Sequence, residues 1–599
     1  MDLLPLERLG VHEGRDGSIS FGALLPDVGP RFRVSVKVIH TDDQFLQDVA
    51  PREFRLKHST DPASGKDYWS TTVKLGREGR YVYRYCVTPE KGQPIDWISD
   101  PFAREFGIGA LSAFTVGYEP YAWSESEASW KTPQIHDLVF YEMMLAEFAG
   151  NLRRAADLLP YLADLGINCI ELMPVTNSGV AVDWGFLPIG YFGVAARYGS
   201  RVDMHRFVDQ AHSLGIAVIL DSVFGHTGDL FGSHYLYEEL HKQGLQIDHP
   251  FTGVTDRALF GEPTDWRRSL TANFFFTVSH FWLDRFHIDG FRYDCVPEFF
   301  GGPKAGFTAL VENTWKHVQQ QREGHWERFH GENGTFNLIT CAEHVDAPRQ
   351  VLESTYANCV WQDETLGAAK DIAESSKRDV TALGQAMALF NFPFDVPEAS
   401  DKVPKAAVQY IENHDQMRFI CRFDRNEKKE LFTQCDRNNW QRLRPYLIAL
   451  LTAKGIPLLW QGQEFCENYW LPSGGVGRPH FPRPLRWELM YTVPGQQLLR
   501  LVRQLLRIRR LRTELRRGEH FVYSDYTQKG ILIVRRGNTP PDVTVVALNF
   551  TAREVTVPFT YPAPGLWIDA LVTGGGDMLD SATEEISIPR NFGRVLMLS

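Results

Sequence analysis

Hydrophobic positions change their period three times along the chain. In the first part the runs SISFGAL, FRVSVKVIH, YWSTTVKL and GRYVYRYCV alternate apolar with polar or β-branched residues, and Gly, Pro and Asp separate them. That is the period-two grammar of short strands closed by turns. It predicts a small β-sandwich over residues 1–118. The stretch that follows, EPYAWSESEASWKTPQIH, loses this period and gains Pro, Ser and charge, which predicts a linker over residues 119–134.

From residue 135 strand-like and helix-like stretches alternate. DLVFYEMML precedes the amphipathic NLRRAADLLPYLADLG, INCIEL follows, VDMHRFVDQAHSLG leads into IAVILDSV, and SLTANFFFTVSHFWLDRF leads into IDGFRYD. NLITCAE, ANCVWQ, AVQYIENH and IPLLWQGQE bring the candidate strands to eight. Strand and helix in alternation, eight times over, predict an α/β fold in the form of a (β/α)₈ TIM barrel over residues 135–515; a doubly wound open sheet is the alternative. The helix GQQLLRLVRQLLRIRRLRTEL closes this region with basic residues toward its C-terminal end, where they favour the helix dipole. Thereafter FVYSDY, GILIVRRG, VTVVALNF, EVTVPF, LWIDALV and EEISIPR return to strand periodicity. They predict a C-terminal antiparallel β-sandwich over residues 516–599.

Composition narrows the function classes. Hydrophobic residues make up 43% and charged residues 23% of 599, the balance of a soluble globular chain. With 63 basic against 74 acidic side chains the net charge is −11, so no nucleic-acid surface is indicated and a neutral ligand fits better. The opening MDLLPLERLGVHEGRDG places Asp2, Glu7 and Arg8 around a very short apolar stretch, so neither a signal peptide nor a membrane anchor is expected. The eight cysteines, at 86, 169, 295, 341, 359, 421, 435 and 466, form no CxxC pair. They read as buried thiols of a cytoplasmic protein, with no metal-site spacing. No oligomeric state is assigned.

In a barrel of this kind the residues that end each strand face the active site. Those ends are rich in carboxylates: Asp221 and His226 after strand three, Arg292 and Asp294 after strand four, Glu343 after strand five, and Glu412, His414 and Asp415 after strand seven. A carboxylate after a strand often only caps the next helix. The full set, in this order, resembles the four signature regions of the alpha-amylase superfamily.

The resemblance spans most of the barrel. It implies a retaining glycosidase or transglycosylase acting on an α-glucan or maltooligosaccharide, with Asp294 as nucleophile, Glu343 as acid and base, and Asp415 as the third catalytic carboxylate. Asp221, His226, Arg292 and His414 would line the subsite of the transferred glucose. The chemistry agrees: retention needs a nucleophilic carboxylate and a protonated carboxylic acid about 5–5.5 Å apart. Arg292 is placed to hold Asp294 ionised, while partial burial and two neighbouring carboxylates should raise Glu343. Glu412 and Glu142 are the other strand-end glutamates.

The loop DWGFLPIGYFGVAARYG, residues 183–199, resembles the family's aromatic platform, with Trp184 and Phe186 as candidate sugar-binding residues. Branching enzymes and trehalohydrolases carry WGY here; Phe186 keeps a stacking face and lacks the hydroxyl. Packing of the loop is the competing role for both aromatics. Gly225 stands where the family usually has an Asn that often binds calcium, so no metal site is expected, and no cofactor is implied. The N-terminal sandwich, with DPFAREFG near its end, resembles the glycogen-binding-like domain of branching, debranching and trehalohydrolase enzymes. IENHDQ and AEHVDAPRQ favour the trehalohydrolase branch, and VWQDETLG leaves a branching enzyme open. A non-catalytic glucan-binding protein is the reading from another class.

Overall fold

The computed structural model describes residues 1–62, 64–178, 184–253, 260–302, 304–375, 378–388, 403–424, 434–471, 478–572, 576–579 and 583–599. Eight parallel strands close into a barrel: β1 (Phe140–Met143), β2 (Cys169–Leu172), β3 (Ala217–Ser222), β4 (Gly290–Tyr293), β5 (Ile339–Glu343), β6 (Cys359–Trp361), β7 (Ala406–Gln409) and β8 (Ile456–Trp460). The closure pairs Phe140 of β1 with Leu458 of β8, so the open-sheet alternative is excluded.

The strands read as unbroken apolar runs because both faces are covered. Alternate residues Phe140, Cys169, Ala217, Ile219, Cys341, Cys359, Val408 and Leu458 share one buried cluster, the barrel interior. Their neighbours Tyr141, Ile170, Val218, Leu220 and Phe291 belong to the larger cluster under the helices. Side-chain period two therefore carries the inward row on to Glu142, Glu171, Asp221, Arg292, Glu343 and Trp361 at the C-terminal ends. The register sets Glu142 beside Glu171, Asp221 beside Arg292, and Glu343 beside Trp361.

Local signals account for the surrounding helices. α1 (Leu152–Leu165) is capped by Asn151, whose side chain accepts from Arg154 N–H at 3.0 Å, and it ends at Gly166 with φ 105°, which favours glycine. α2 (Arg201–Ser213) opens with a Ser200/Asp203 capping box. α3 (Gly232–Lys242) sends Leu236, Tyr237 and Leu240 into the core between the two N-terminal sheets, where they meet Phe21, Val36 and Trp69.

Those N-terminal sheets are antiparallel, with four and six strands, and enclose one core. At the other end, a six-stranded antiparallel sheet has His520–Tyr523 and Gly576–Leu579 at its edges and Phe592–Leu598 in its interior. One face, through Leu532, Val546 and Val595, joins the core around the barrel, and the other packs Ile533, Val545 and Trp567 under the ribbon of Val555–Thr560 and Thr583–Ile588. The stretch read as a linker is tied to the barrel floor: Trp130 Nε1 and Thr132 Oγ1 donate to Asp289, and Trp123 stacks on His287 at 3.9 Å.

The cysteine expectation is corrected. Cys421 and Cys435 form a disulfide, their Cα atoms 5.1 Å apart, and the other six are free. The fold brings together two residues whose 14-residue separation carried no pairing signal. Among the described residues no helix is long and apolar enough to cross a membrane.

Candidate active site

Arg292 organises the mouth of the barrel. Its side chain is wholly buried and its guanidinium lies over the Trp361 ring at 4.5 Å. Nη1 donates to Asp221 Oδ1 at 2.7 Å and to Asp294 Oδ1 at 2.8 Å, while Nη2 lies 3.0 Å from Glu343 Oε2. One planar cation thus holds three carboxyls from β3, β4 and β5, a geometry that a flexible ammonium would not enforce.

The backbone after Asp294 completes the arrangement. Cys295 adopts φ 40°, in the left-handed region, and its N–H donates to Glu343 Oε2 at 2.8 Å. Such a conformation costs on the order of 1–3 kcal/mol in a non-glycine residue. Here it joins the end of β4 to the carboxyl that ends β5.

Burial raises the Glu343 carboxyl, Asp294 and Asp415 add to the rise, and Arg292 and the Cys295 N–H oppose it; the group is pushed up to about 7. Asp221 is likewise pushed up to about 7 by burial and by Asp294, against Arg292. The other strand-end glutamates are committed elsewhere. Glu412 is buried and paired with Arg418 at 3.1 Å and with the Phe419 N–H. Glu142 is buried against His414 Nδ1 and the His414 N–H.

His414 occupies the centre of the opposite wall. Burial opposes its charge, yet Asp415 and Glu142 outweigh that and push it up to about 9. Its Nε2 lies 3.4 Å from Asp415 Oδ2, Phe186 stacks on it at 5.2 Å, and Trp184 meets it edge-on at 5.4 Å. Asp415 is more open, 36% exposed, and Arg478 binds both its carboxylate and its backbone oxygen. Trp184 is buried among Met144, Met173, Trp460 and Leu471, and Phe186 is only partly buried at the edge of that cluster. Asp183, the first residue of the loop, lies outside the described residues.

His226 is placed differently from the other members of the set. Its Nδ1 is 2.6 Å from Glu298 Oε2 and its Nε2 is 2.7 Å from the Phe186 carbonyl. Burial lowers this imidazole, but Glu298 more than compensates and raises it overall. The two contacts fasten the aromatic loop to the chain beyond β4. The Glu298 carboxylate lies beside Gly225: a Cβ there would meet Glu298 Oε2 at 2.6 Å and Glu298 Cβ at 2.9 Å. Glu298 therefore fills the space a side chain at 225 would take.

Sequence reasoning missed three members of this group and named Glu142 only as another strand-end glutamate. Trp361 is inward by strand parity, a signal that was available in the β6 run. Glu298 and Arg478 lie in irregular segments, and no period announces them.

Comparison with known proteins follows the same lines. The alpha amylase catalytic domain family matches residues 124–269 and 262–473. The chain is 27% identical over 548 residues to the 1,4-alpha-glucan branching enzyme of Thiobacillus denitrificans, covering 83% of this chain and 68% of that protein. It is also 27% identical over 465 residues to the malto-oligosyltrehalose trehalohydrolase of Deinococcus radiodurans, covering 74% and 68%. Among solved structures, a putative alpha amylase from Salmonella typhimurium superposes with TM-score 0.67 at 20% identity, covering 98% of this chain and 99% of that one. A pullulanase from an Anoxybacillus species, solved with maltotriose, gives TM-score 0.71 at 16% identity, covering 99% and 85%. These structural likenesses concern the fold.

Proposed function

Because the chain belongs to the alpha-amylase catalytic-domain family, we propose that it is a retaining glycosidase or transglycosylase acting on α-1,4-linked glucans or maltooligosaccharides, with trehalohydrolase-like specificity as the leading reading. The observation that carries this is the pair on Arg292: Asp294 on Nη1, and Glu343 on Nη2 with its proton affinity raised to about 7. A nucleophile and a carboxyl still protonated near neutral pH are what retention requires.

In the first step Glu343 gives its proton to the glycosidic oxygen as the Asp294 carboxylate attacks the anomeric carbon and the C–O bond breaks. In the second, the Glu343 carboxylate takes a proton from water or a glucan hydroxyl, whose oxygen attacks the same carbon and releases Asp294. Asp415 and His414 hold ring hydroxyls as the sugar flattens toward an oxocarbenium-like state, and Arg292 and Asp221 support the nucleophile's side. Phe186 offers a stacking face with no hydroxyl. The presence of all three carboxylates, Asp294, Glu343 and Asp415, counts against a non-catalytic glucan-binding protein. The similarity to a branching enzyme over 83% of the chain supports transfer to a glucan hydroxyl as the second reading. A cytoplasmic location, without a membrane or nucleic-acid partner, belongs to the same proposal; the Cys421–Cys435 bond removes the thiol argument for it.

Product analysis tests both readings. Amylose, maltooligosaccharides and a maltooligosyltrehalose are incubated with the enzyme, and reducing ends, iodine staining and released sugars are followed. Free trehalose supports the first reading. A shifted iodine spectrum without new reducing ends supports the second, and no turnover of any of the three refutes both.

A further inference from the structure

A second group of chemistry-bearing side chains sits on α3. His234, Glu238 and His241 fall four and three residues apart, so they share one stripe of the helix. The apolar stripe, Leu236, Tyr237 and Leu240, is occupied in the core beneath the N-terminal sheets. The chain then folds back over the polar stripe. Leu245 N–H donates to Leu240 O at 3.0 Å, and His241 Nε2 is bonded to Ile247 O. This return sets the His249 ring 4.8 Å from that of His241 and 5.3 Å from that of His234. One donor atom each from Glu238, His241 and His249 lies within 4.8 Å of the others, and Glu238 Oε2 is 3.9 Å from His249 Nε2.

The surroundings of the rings point to a ligand. A metal-binding imidazole characteristically has its second nitrogen held by an oxygen, which fixes tautomer and orientation. His241 Nε2 has the Ile247 carbonyl, and His249 Nδ1 has the Thr252 hydroxyl at 3.1 Å. Each ring is left with one nitrogen for the cluster. Thr252 Oγ1 lies at the same 3.1 Å from His234 Nδ1, so one hydroxyl braces two rings. His234 itself is turned toward Glu262, 3.7 Å away, and stands beside the triad rather than in it.

We propose that Glu238, His241 and His249 bind a divalent transition-metal ion of the zinc class, clipping the turn after α3 onto the helix. Two imidazoles and a carboxylate suit zinc better than calcium or magnesium, which take oxygen donors. Bonds of about 2.0–2.2 Å place tetrahedral donor atoms roughly 3.3–3.6 Å apart, so modest side-chain rotations close the triangle. Water from the half-exposed Glu238 side fills the fourth position. Because α3 also buries its apolar face under the N-terminal sheets, fixing its C-terminal end steadies the junction between those sheets and the barrel.

Chelator-treated full-length protein is titrated with Zn²⁺ against a chromophoric competitor, and with Co²⁺ to read the visible spectrum of a tetrahedral site. One equivalent should bind with a Kd below about 10 µM and raise the melting temperature. Glu238→Gln and His249→Asn should each weaken binding by at least about 100-fold, and Thr252→Val by about 10–100-fold, with circular dichroism unchanged. Wild-type binding weaker than that limit overturns the proposal, as does unchanged affinity in both ligand variants. Circular dichroism identifies any variant that has unfolded, and Thr252→Val then decides the case by its own affinity.

Discussion

Replacing Glu343 with Gln keeps the shape of the side chain and removes its proton. The Gln carbonyl can still accept from the Cys295 N–H, 2.8 Å from Oε2 in the wild type, and Arg292 retains Asp221 at 2.7 Å and Asp294 at 2.8 Å. The fold and the sugar cradle should therefore survive, and what disappears is an acid poised at about 7. General-acid assistance is worth about 10²–10⁴-fold, or roughly 3–5 kcal/mol of activation free energy, when the leaving group is a sugar alkoxide. Fluoride leaves with little help, so an α-glucosyl fluoride should lose less than about 10-fold in the first step. Azide should restore the second step, since it needs no base, and two inversions give the α-azide. The pH profile supplies an independent reading. Wild-type kcat/KM on maltooligosaccharides should fall about tenfold per pH unit above the Glu343 value, and the variant's fluoride profile should lack that limb. Stability carries the same sign. A carboxyl raised in the fold binds its proton more tightly than in the unfolded chain, so wild-type stability declines as pH rises from the usual carboxylate range to about 7. The variant has nothing to titrate, and its melting temperature relative to wild type should rise between about pH 5 and pH 8. Equal losses on both substrates, no azide rescue and a surviving basic limb would together refute Glu343 as the acid.

Three further substitutions probe the rest of the site. Asp294→Asn should lower turnover by more than about 10⁴-fold while glucan binding and folding persist, because it removes the nucleophile and little volume; near-normal kcat would contradict the assignment. Glu142→Gln removes one of the two carboxylates that hold His414 at about 9, so the His414 titration followed by NMR should move down by at least about one unit; an unmoved midpoint shows that Asp415 suffices. Gly225→Asn drives a Cβ into Glu298 and should displace it from His226, destabilising by about 1–3 kcal/mol and raising KM more than it lowers kcat. Unchanged kinetics and melting temperature would mean that the His226–Glu298 pair does not position the Phe186 loop.

Much of this molecule was legible along the chain. Eight apolar runs of strand length, spaced by amphipathic helices, specify the barrel because parallel strands buried on both faces need such runs, and period two then assigns each strand-end residue to the mouth or to the outside. Asp221, Arg292, Asp294 and Glu343 meet for that reason: they end neighbouring strands at inward positions. Other features depend on where distant segments land. Glu142 and His414 are 272 residues apart and become partners only when β1 and β8 close the barrel. Glu298 occupies the space beside Gly225, and Cys421 reaches Cys435, because irregular loops lie against elements whose positions no local period encodes. The α3 cluster divides in the same way. Its Glu-x-x-His spacing is local and visible, whereas His249 joins it through a turn stabilised by backbone hydrogen bonds to Leu240 and by Thr252. Repeating patterns determine local geometry because burial and backbone pairing repeat with the element; contacts between elements follow from closure and packing of the whole chain, which only the tertiary structure decides.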